Sequence, residues 1–413
     1  MNKVLLVAYH FPPQAGSSGL LRTLKLCRYL PEFGWQPTVL TVHPRAYERL
    51  DQSQLGEIAP DVRVLRAFAL DARRQLSFRA RYLNWTALPD RWVSWFLGGV
   101  PAGWNAIRKD DIEVIWTTFP IATAVLIGWM LHRLTRKPWV VDFRDSMTED
   151  EYPRDPRTRK LYRWIERQAV RRAARLVFTA HSTMRMYLQR YPGLSPEKCL
   201  VISNGYDEAD FQALLPAAVN SRASRGPIRL VHMGILYPEE RDPLPFFRSL
   251  AQLKREDRIN ASSLRIELRA SGYDDLYAPL IEQMGIKDLV HLLPALPYRQ
   301  ALSDAAAADA LLLFQAANCD HQIPAKAYEY LRLGRPILAL TSATGDTAEL
   351  LNAAGGATIV NLADAEEIYH ALPDFLAKLS QGALRGADLR TVQRYSRREQ
   401  TGEMARTLSS VCS

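Results

Sequence analysis

Lys326 and Glu329 stand three residues apart in the stretch HQIPAKAYEYLRLGRPILAL, residues 321–340. On a helix the two side chains would share one face. An ammonium near a helix start adds to the positive partial charge of the free backbone N–H groups there, which makes a seat for phosphate. A carboxylate one turn on can accept two hydroxyl hydrogen bonds from a sugar. Helix end, cation and carboxylate together describe a socket for a nucleotide-sugar. A solvated Lys and Glu on an amphipathic helix is the plainer reading of the same residues. A second group, Asp142, Arg144 and Asp145, closes the apolar run WVVDFRD. Charged residues at the carboxyl ends of parallel strands sit at the crevice where such sheets bind ligands. For Asp145 a helix cap or a loop carboxylate is the alternative.

The elements that must position these groups follow from local chemistry. Pro324 reads as the first residue of a helix, since its fixed φ suits that place and its missing N–H would be an orphan there. Gly334 stops the helix, where φ > 0 costs it nothing, and ILAL begins a strand. Near the start of the chain, KVLLVAY is an unbroken apolar strand of the kind buried in a parallel sheet. The loop HFPPQAGSSG, a helix over residues 20–33 ended by Gly34, and the strand PTVLTV follow. That is the opening of a Rossmann-like unit, although Gly16 and Gly19 do not complete a GxGxxG, so dinucleotide binding is poorly supported. Strands VRVLRAF, EVIWTTFP, WVVDFRD, RLVFTA and CLVISNGYD continue the first half, with a buried helix over residues 121–134. After residues 209–225, rich in Ala, Asn, Ser and Arg, the pattern restarts with IRLVHMG, LRIELRA, DLVHLLPAL and ADALLLFQ. A final helix is expected over residues 392–411.

A chain of 413 residues is too long for one core, and 47% hydrophobic with 23% charged residues is ordinary for a soluble globular protein. The expected fold class is therefore α/β with two Rossmann-like parallel-sheet domains facing across a cleft. Its expected parts are residues 1–208, a linker 209–226, residues 227–390, and a terminal helix 391–413 that returns to the first domain. Cys27, Cys199, Cys319 and Cys412 lack any CxxC spacing and read as reduced thiols. The eight histidines form no HExxH, so a structural metal site is not expected. No apolar run reaches the ~18–20 residues of a membrane span. The net charge of +9 is uneven: residues 1–215 hold 31 Lys and Arg against 21 Asp and Glu, and the remainder 22 against 23. The densest basic runs, residues 73–85 and 157–175, interleave Arg with Leu, Phe, Tyr and Trp, which fits an anionic membrane surface. Nucleic acid is the rival for any basic patch, but no nucleic-acid motif accompanies this one, and none is expected as a partner.

Several segments carry a resemblance to a known family: YHFPPQAGSSGLLRTLKLCRYL, VDFRDS, ISNGYDEADF, HMGILYPEERDP, IPAKAYEYLRLGRPILAL and the closing YSRREQTGEMARTL. The chain resembles a GT-B glycosyltransferase of the family 4 type, in the branch found in bacterial polysaccharide and lipopolysaccharide gene sets. The resemblance implies a retaining transfer from a nucleotide-sugar donor, and the basic, aromatic first half suits a lipid-linked or oligosaccharide acceptor at the cytoplasmic face of the membrane. It matches Gly16 to the glycine that approaches the donor diphosphate, Arg241 to the basic residue on the first loop of the second domain, and Lys326 and Glu329 to the donor helix. Tyr328 and His321 join the donor-binding candidates, His321 standing where the family often has a glutamate. Asp145, Arg241 and Lys326 are the catalytic candidates, and His10, Arg144 and Asn204 the acceptor or cleft candidates. The chain contains no Asp-x-Asp, so Arg241, Lys326 and helix-terminal amides are expected to stabilise the departing diphosphate with no metal or other cofactor. A nucleotide-sugar 2-epimerase and a non-catalytic glycosyltransferase-like assembly partner are the alternatives.

Overall fold

The computed structural model describes residues 1–15, 18–76, 87–149, 152–212 and 226–412. The chain divides into two compact units, one of residues 1–204 with 397–413, the other of residues 205–396. Each is built on its own sheet, and all the strand pairs in both sheets are parallel.

The first unit contains β1 (Asn2–Val7), β2 (Trp35–Val42), β3 (Arg63–Ala67), β4 (Val114–Phe119), β5 (Trp139–Phe143), β6 (Arg175–Phe178) and β7 (Cys199–Val201), in the spatial order β3-β2-β1-β4-β5-β6-β7. The order reverses between β1 and β4, so the crevice that such sheets use for ligands opens beyond the carboxyl ends of those two strands. Strands β1 and β4 are almost wholly buried because helices cover both faces of the sheet. On one face lie the helices Trp95–Lys109, Ala122–Thr135 and Pro156–Arg172. On the other, Ser18–Tyr29 packs against Arg397–Ser409.

A buried ion pair ties this sheet together. Arg22 donates through Nε and Nη2 to both oxygens of Asp142 at 2.8 Å, and also to the carbonyls of Ser203 and Ile202. The last residues of β5 and the chain leaving β7 are thereby held to the helix that follows β1.

The second unit contains β8 (Ile228–Met233), β9 (Leu264–Arg269), β10 (Val290–Leu293), β11 (Ala310–Phe314), β12 (Ile337–Leu340) and β13 (Ala357–Val360), in the order β10-β9-β8-β11-β12-β13. Its switch point lies between β8 and β11, and the helix carrying Lys326 follows β11.

Two expectations change in detail. The helix starts at Ala325, and Pro324 is its N-cap with an extended ψ of 135°. A proline φ suits either position, so its ring could not decide between them. The expected C-terminal helix is interrupted: Leu389–Val392 and a short 3-10 turn precede Ser396, which is extended (ψ 145°), and Arg397–Ser409 forms a separate helix. Gly334 does stop its helix at φ 65°, as expected, and Gly34 ends the first helical segment at φ 82°. The first basic run and the 209–225 segment lie largely outside the described residues.

Arg22→Ala should destabilise the first unit by about 3–5 kcal/mol, because Asp142 keeps its buried charge and loses its cation. Chemical denaturation measures the loss. A paired Arg22→Met, Asp142→Leu variant should recover most of it.

Candidate functional site

In the second unit, His232 and Lys326 meet at the switch point. His232, one residue from the end of β8, is fully buried, and its Nδ1 lies 2.8 Å from the carbonyl of Leu312 in β11. That contact makes Nδ1 the protonated nitrogen and leaves the Nε2 lone pair to accept from Lys326 Nζ, 3.2 Å away. Burial first, and then the charge of Lys326, hold the imidazole well below its usual pKa, so it is neutral. Burial also lowers Lys326, to about 7, with the charge of Arg241 acting in the same sense and Glu329 opposing both. The socket therefore places two like charges against a neutral ring. An incoming anion relieves that arrangement.

The backbone makes room for the ammonium. Gly234 follows β8 at φ 107°, and a Cβ there would lie 2.9 Å from Lys326 Nζ. The helix Ala325–Leu333 has no side-chain cap on its first-turn amides. Its Tyr330 hydroxyl accepts from the amide of Met233 at 2.9 Å, pinning the helix to the end of β8.

Arg241 sits on the loop after β8, and two bonds hold that loop to the one after β11. Ala316 N donates to the carbonyl of Glu240 at 2.7 Å, and Asn318 Nδ2 to that of Glu239 at 2.9 Å. The Arg241 guanidinium donates to the Ile235 carbonyl and lies over the Tyr237 ring, 5.3 Å from its centroid. Within the second loop, Gln315 Nε2 donates to the carbonyls of Cys319 and Gln322, and Thr347 Oγ1 donates to Gln315 Oε1. Glu329 accepts from the hydroxyl of Tyr298 at 2.8 Å.

The structure thus brings together Lys326, Arg241 and Glu329, and adds His232 and Tyr298, which sequence reasoning missed. His232 sits inside an apolar strand, IRLVHM, with nothing in its spacing to mark it. Tyr298 lies at a helix start outside any motif. Tyr328 is fully buried, its ring packs against Tyr395 at 5.4 Å, and it belongs to the unit's core. Adjacent positions on a helix point about 100° apart, so Tyr328 could not share the face of Glu329. His321 is half-buried on the loop before the helix, its Nε2 3.2 Å from Gln322 Nε2.

In the first unit, His10 follows β1 and Arg144 follows β5. His10 Nδ1 contacts Gln14 Oε1 at 2.9 Å, while its buried Nε2 has no hydrogen-bond partner among the described residues. Burial, and then Arg144, push His10 down to about 3, so its ring is neutral. Arg144 Nε donates to the Phe119 carbonyl at 2.8 Å, and its guanidinium lies over Gly19 in the first turn of the helix after β1. A Cβ at Gly19 would come within 2.0 Å of Arg144 Nη1, so only glycine admits the guanidinium there. Asp145 is exposed, and Asn204 accepts through its carbonyl from Gln400 Nε2 at 2.7 Å. Gly16 lies outside the described residues.

Residues 21–205, most of the first unit without β1 and the Arg397–Ser409 helix, match the glycosyl transferase 4-like domain. No curated protein matches the chain. Among solved structures the chain is similar to sucrose-phosphate synthase from Thermosynechococcus elongatus, with TM-score 0.61 and 15% identity over 100% of this chain and 96% of that one. It is similar to HepE from Anabaena in complex with UDP-glucose, with TM-score 0.65 and 16% identity over 99% of both chains. It is also similar to UDP-GlcNAc 2-epimerase from Neisseria meningitidis bound to UDP-GlcNAc, with TM-score 0.57 and 10% identity over 99% and 100%. At such identities the likeness is one of fold, and the fold of two parallel-sheet units is the GT-B type.

A bound diphosphate favours the charged form of Lys326. A nucleoside diphosphate should therefore bind with proton uptake above pH 7, its Kd rising by up to about tenfold per pH unit from 7 towards 9. Calorimetry in buffers of different ionisation heat reads the uptake, and Lys326→Gln should flatten the slope. For folding the sign is also set: the unfolded chain holds the extra proton between about 7 and the ordinary 10.5, so this group adds stability as pH rises through that window. Gly234→Ala should weaken the same binding at least tenfold by displacing the ammonium, with titration of the variant as the check.

Proposed function

We propose that the chain, whose residues 21–205 match the glycosyl transferase 4-like domain, is a glycosyltransferase moving a sugar from a nucleotide-sugar to a saccharide acceptor. The observation that carries the donor half is the Lys326 ammonium, seated on the neutral ring of His232 beside Arg241 at the sheet's switch point. Breaking the glycosidic bond to the donor leaves negative charge on the diphosphate. In this reading Lys326, Arg241 and the first-turn amides of the Ala325–Leu333 helix take up that charge as it develops. Glu329, oriented by Tyr298, accepts hydroxyl hydrogen bonds from the ribose. Because two cations already serve the leaving group, the transfer is proposed to proceed without a divalent metal.

The acceptor is a lipid-linked or oligosaccharide chain of a cell-surface polysaccharide, met at the cytoplasmic face of the membrane, and the anomeric configuration is retained. His10 and Arg144 offer the acceptor side a neutral imidazole and a cation, and Asp145 an exposed carboxylate. HepE, whose structure contains UDP-glucose, makes uridine diphosphate sugars the first donors to try.

A thermal-shift panel of UDP-, GDP- and dTDP-sugars, with and without EDTA, tests base preference and metal need together, since a ligand bound to the native state raises apparent stability. One donor should raise the melting temperature equally in EDTA. Lys326→Ala and Arg241→Ala should each lower kcat by about 10²-fold or more. Conversion of the donor to an epimer without any acceptor would overturn the transferase reading.

A further inference from the structure

Three helices of the first unit lie side by side on one face of its sheet, Ala122–Thr135 between Trp95–Lys109 and Pro156–Arg172. Their inward residues fill the core, and their outward residues follow an unusual rule. The three carry ten Lys and Arg and one carboxylate, Glu166. Glu166 does not face outward: it is fully buried, where it accepts from Tyr187, Tyr191 and Arg190. Two acidic residues at the helix ends are engaged locally. Asp155 caps Thr158, and Asp110 pairs with Arg63. Among the described residues the outward faces of these three helices thus carry no carboxylate, and Asp111 stands exposed just past the end of the first. This accounts for the positive surplus of the first half of the chain.

The same surface is apolar in an ordered way. Leu97, Pro101, Trp104 and Arg108 are exposed at helical spacing along the solvent side of the first helix, and Leu97 is 72% exposed. On the second helix Leu126, Trp129 and Met130 are half-buried, and Leu134 is 54% exposed. On the third, Trp164 stands among Lys160, Arg163 and Arg167, its ring edge-on to Trp129 at 5.2 Å. Arg108 lies over Trp104 at 4.9 Å, and Arg133 over Trp129 at 5.5 Å. Tryptophan paired with arginine, beside a carboxylate-free basic stripe, suits the headgroup level of a bilayer, where an apolar ring and a cation are both at home. A nucleic-acid backbone would use the arginines and leave Leu97, Pro101 and Leu134 in water.

From this juxtaposition we infer that the outer surface of these three helices docks on an anionic lipid bilayer, with Leu97 and Trp104 entering the headgroup region and Arg163, Arg167 and Arg171 held over anionic phosphates. No described helix is long and apolar enough to cross a membrane, so the contact is with the surface. The inference deepens, and rests on, the reading of a transferase with a membrane-anchored acceptor.

Co-sedimentation of the full chain with phosphatidylcholine vesicles, plain or containing about one-third phosphatidylglycerol, tests it. In about 0.1 M salt the anionic vesicles should retain the chain at least tenfold better than the neutral ones. The triple variant Arg163→Gln, Arg167→Gln, Arg171→Gln should partition about 100-fold more weakly. The pair Leu97→Ser, Trp104→Ser should lose about tenfold, together with the quenching of tryptophan fluorescence by brominated acyl chains. Both variants should bind a nucleoside diphosphate as the parent chain does, which shows that they are folded. Equal retention on neutral vesicles, variants that bind like the parent, or displacement from anionic vesicles by a nucleic-acid duplex would each overturn the inference. Loss of nucleotide binding in the parent with vesicle binding intact would overturn the donor assignment and leave the docking surface standing.

Discussion

A lysine ammonium resting on a neutral imidazole is the constraint around which the second unit is arranged. Lys326 lies against His232, which is held in one tautomer by the Leu312 carbonyl, and the charge of Glu329 only partly offsets its burial. Holding a cation in so buried a place costs the free protein stability, and the surrounding structure is built to bear that cost. Tyr330 fixes the helix to β8, Gly234 leaves space for the ammonium, and Gln315 with Thr347 stiffens the approach to the helix. Sites that must stabilise charge arising during a reaction are commonly prepared in this way, with the stabilising groups in position before the charge appears.

The first unit handles charge differently. Its most buried arginine, Arg22, is saturated by Asp142 and two carbonyls, and serves to join strands. Its second arginine, Arg144, which follows β5, donates through Nε to the Phe119 carbonyl and extends the rest of its guanidinium over Gly19. Two arginines near the same strand therefore do separate jobs. The difference lies in how many of their N–H groups the fold consumes.

Much of this was legible beforehand because it depends on short-range patterns. Uninterrupted apolar runs marked β1, β8, β11 and β12 as strands of covered parallel sheets, and Gly334 and Gly34 marked where helical segments stop. Lys326 and Glu329 could be paired from their spacing. The rest depended on contacts between residues far apart in the chain. His232 looks like one more residue of an apolar strand until β11 supplies the carbonyl that orients it and the helix after β11 supplies the ammonium. Tyr328 lies between Lys326 and Glu329 in the chain, yet helical rotation turns it into the core. The basic run at residues 157–175 suggested a surface, but only the fold reveals that Glu166, its single acid, is turned inward, and that Trp129 and Trp104 from other helices share its face.

The division of the chain also has a consequence for how the molecule is made. The second unit is inserted between Asn204 and Arg397, and the Arg397–Ser409 helix covers Leu24 and Cys27 on the helix after β1. A ribosome delivers that covering helix only after some two hundred intervening residues have emerged and begun to fold as a unit of their own. The earlier-born sheet must meanwhile wait with one greasy flank uncovered, so nascent chains stalled anywhere within the insert should be prime clients for holding chaperones.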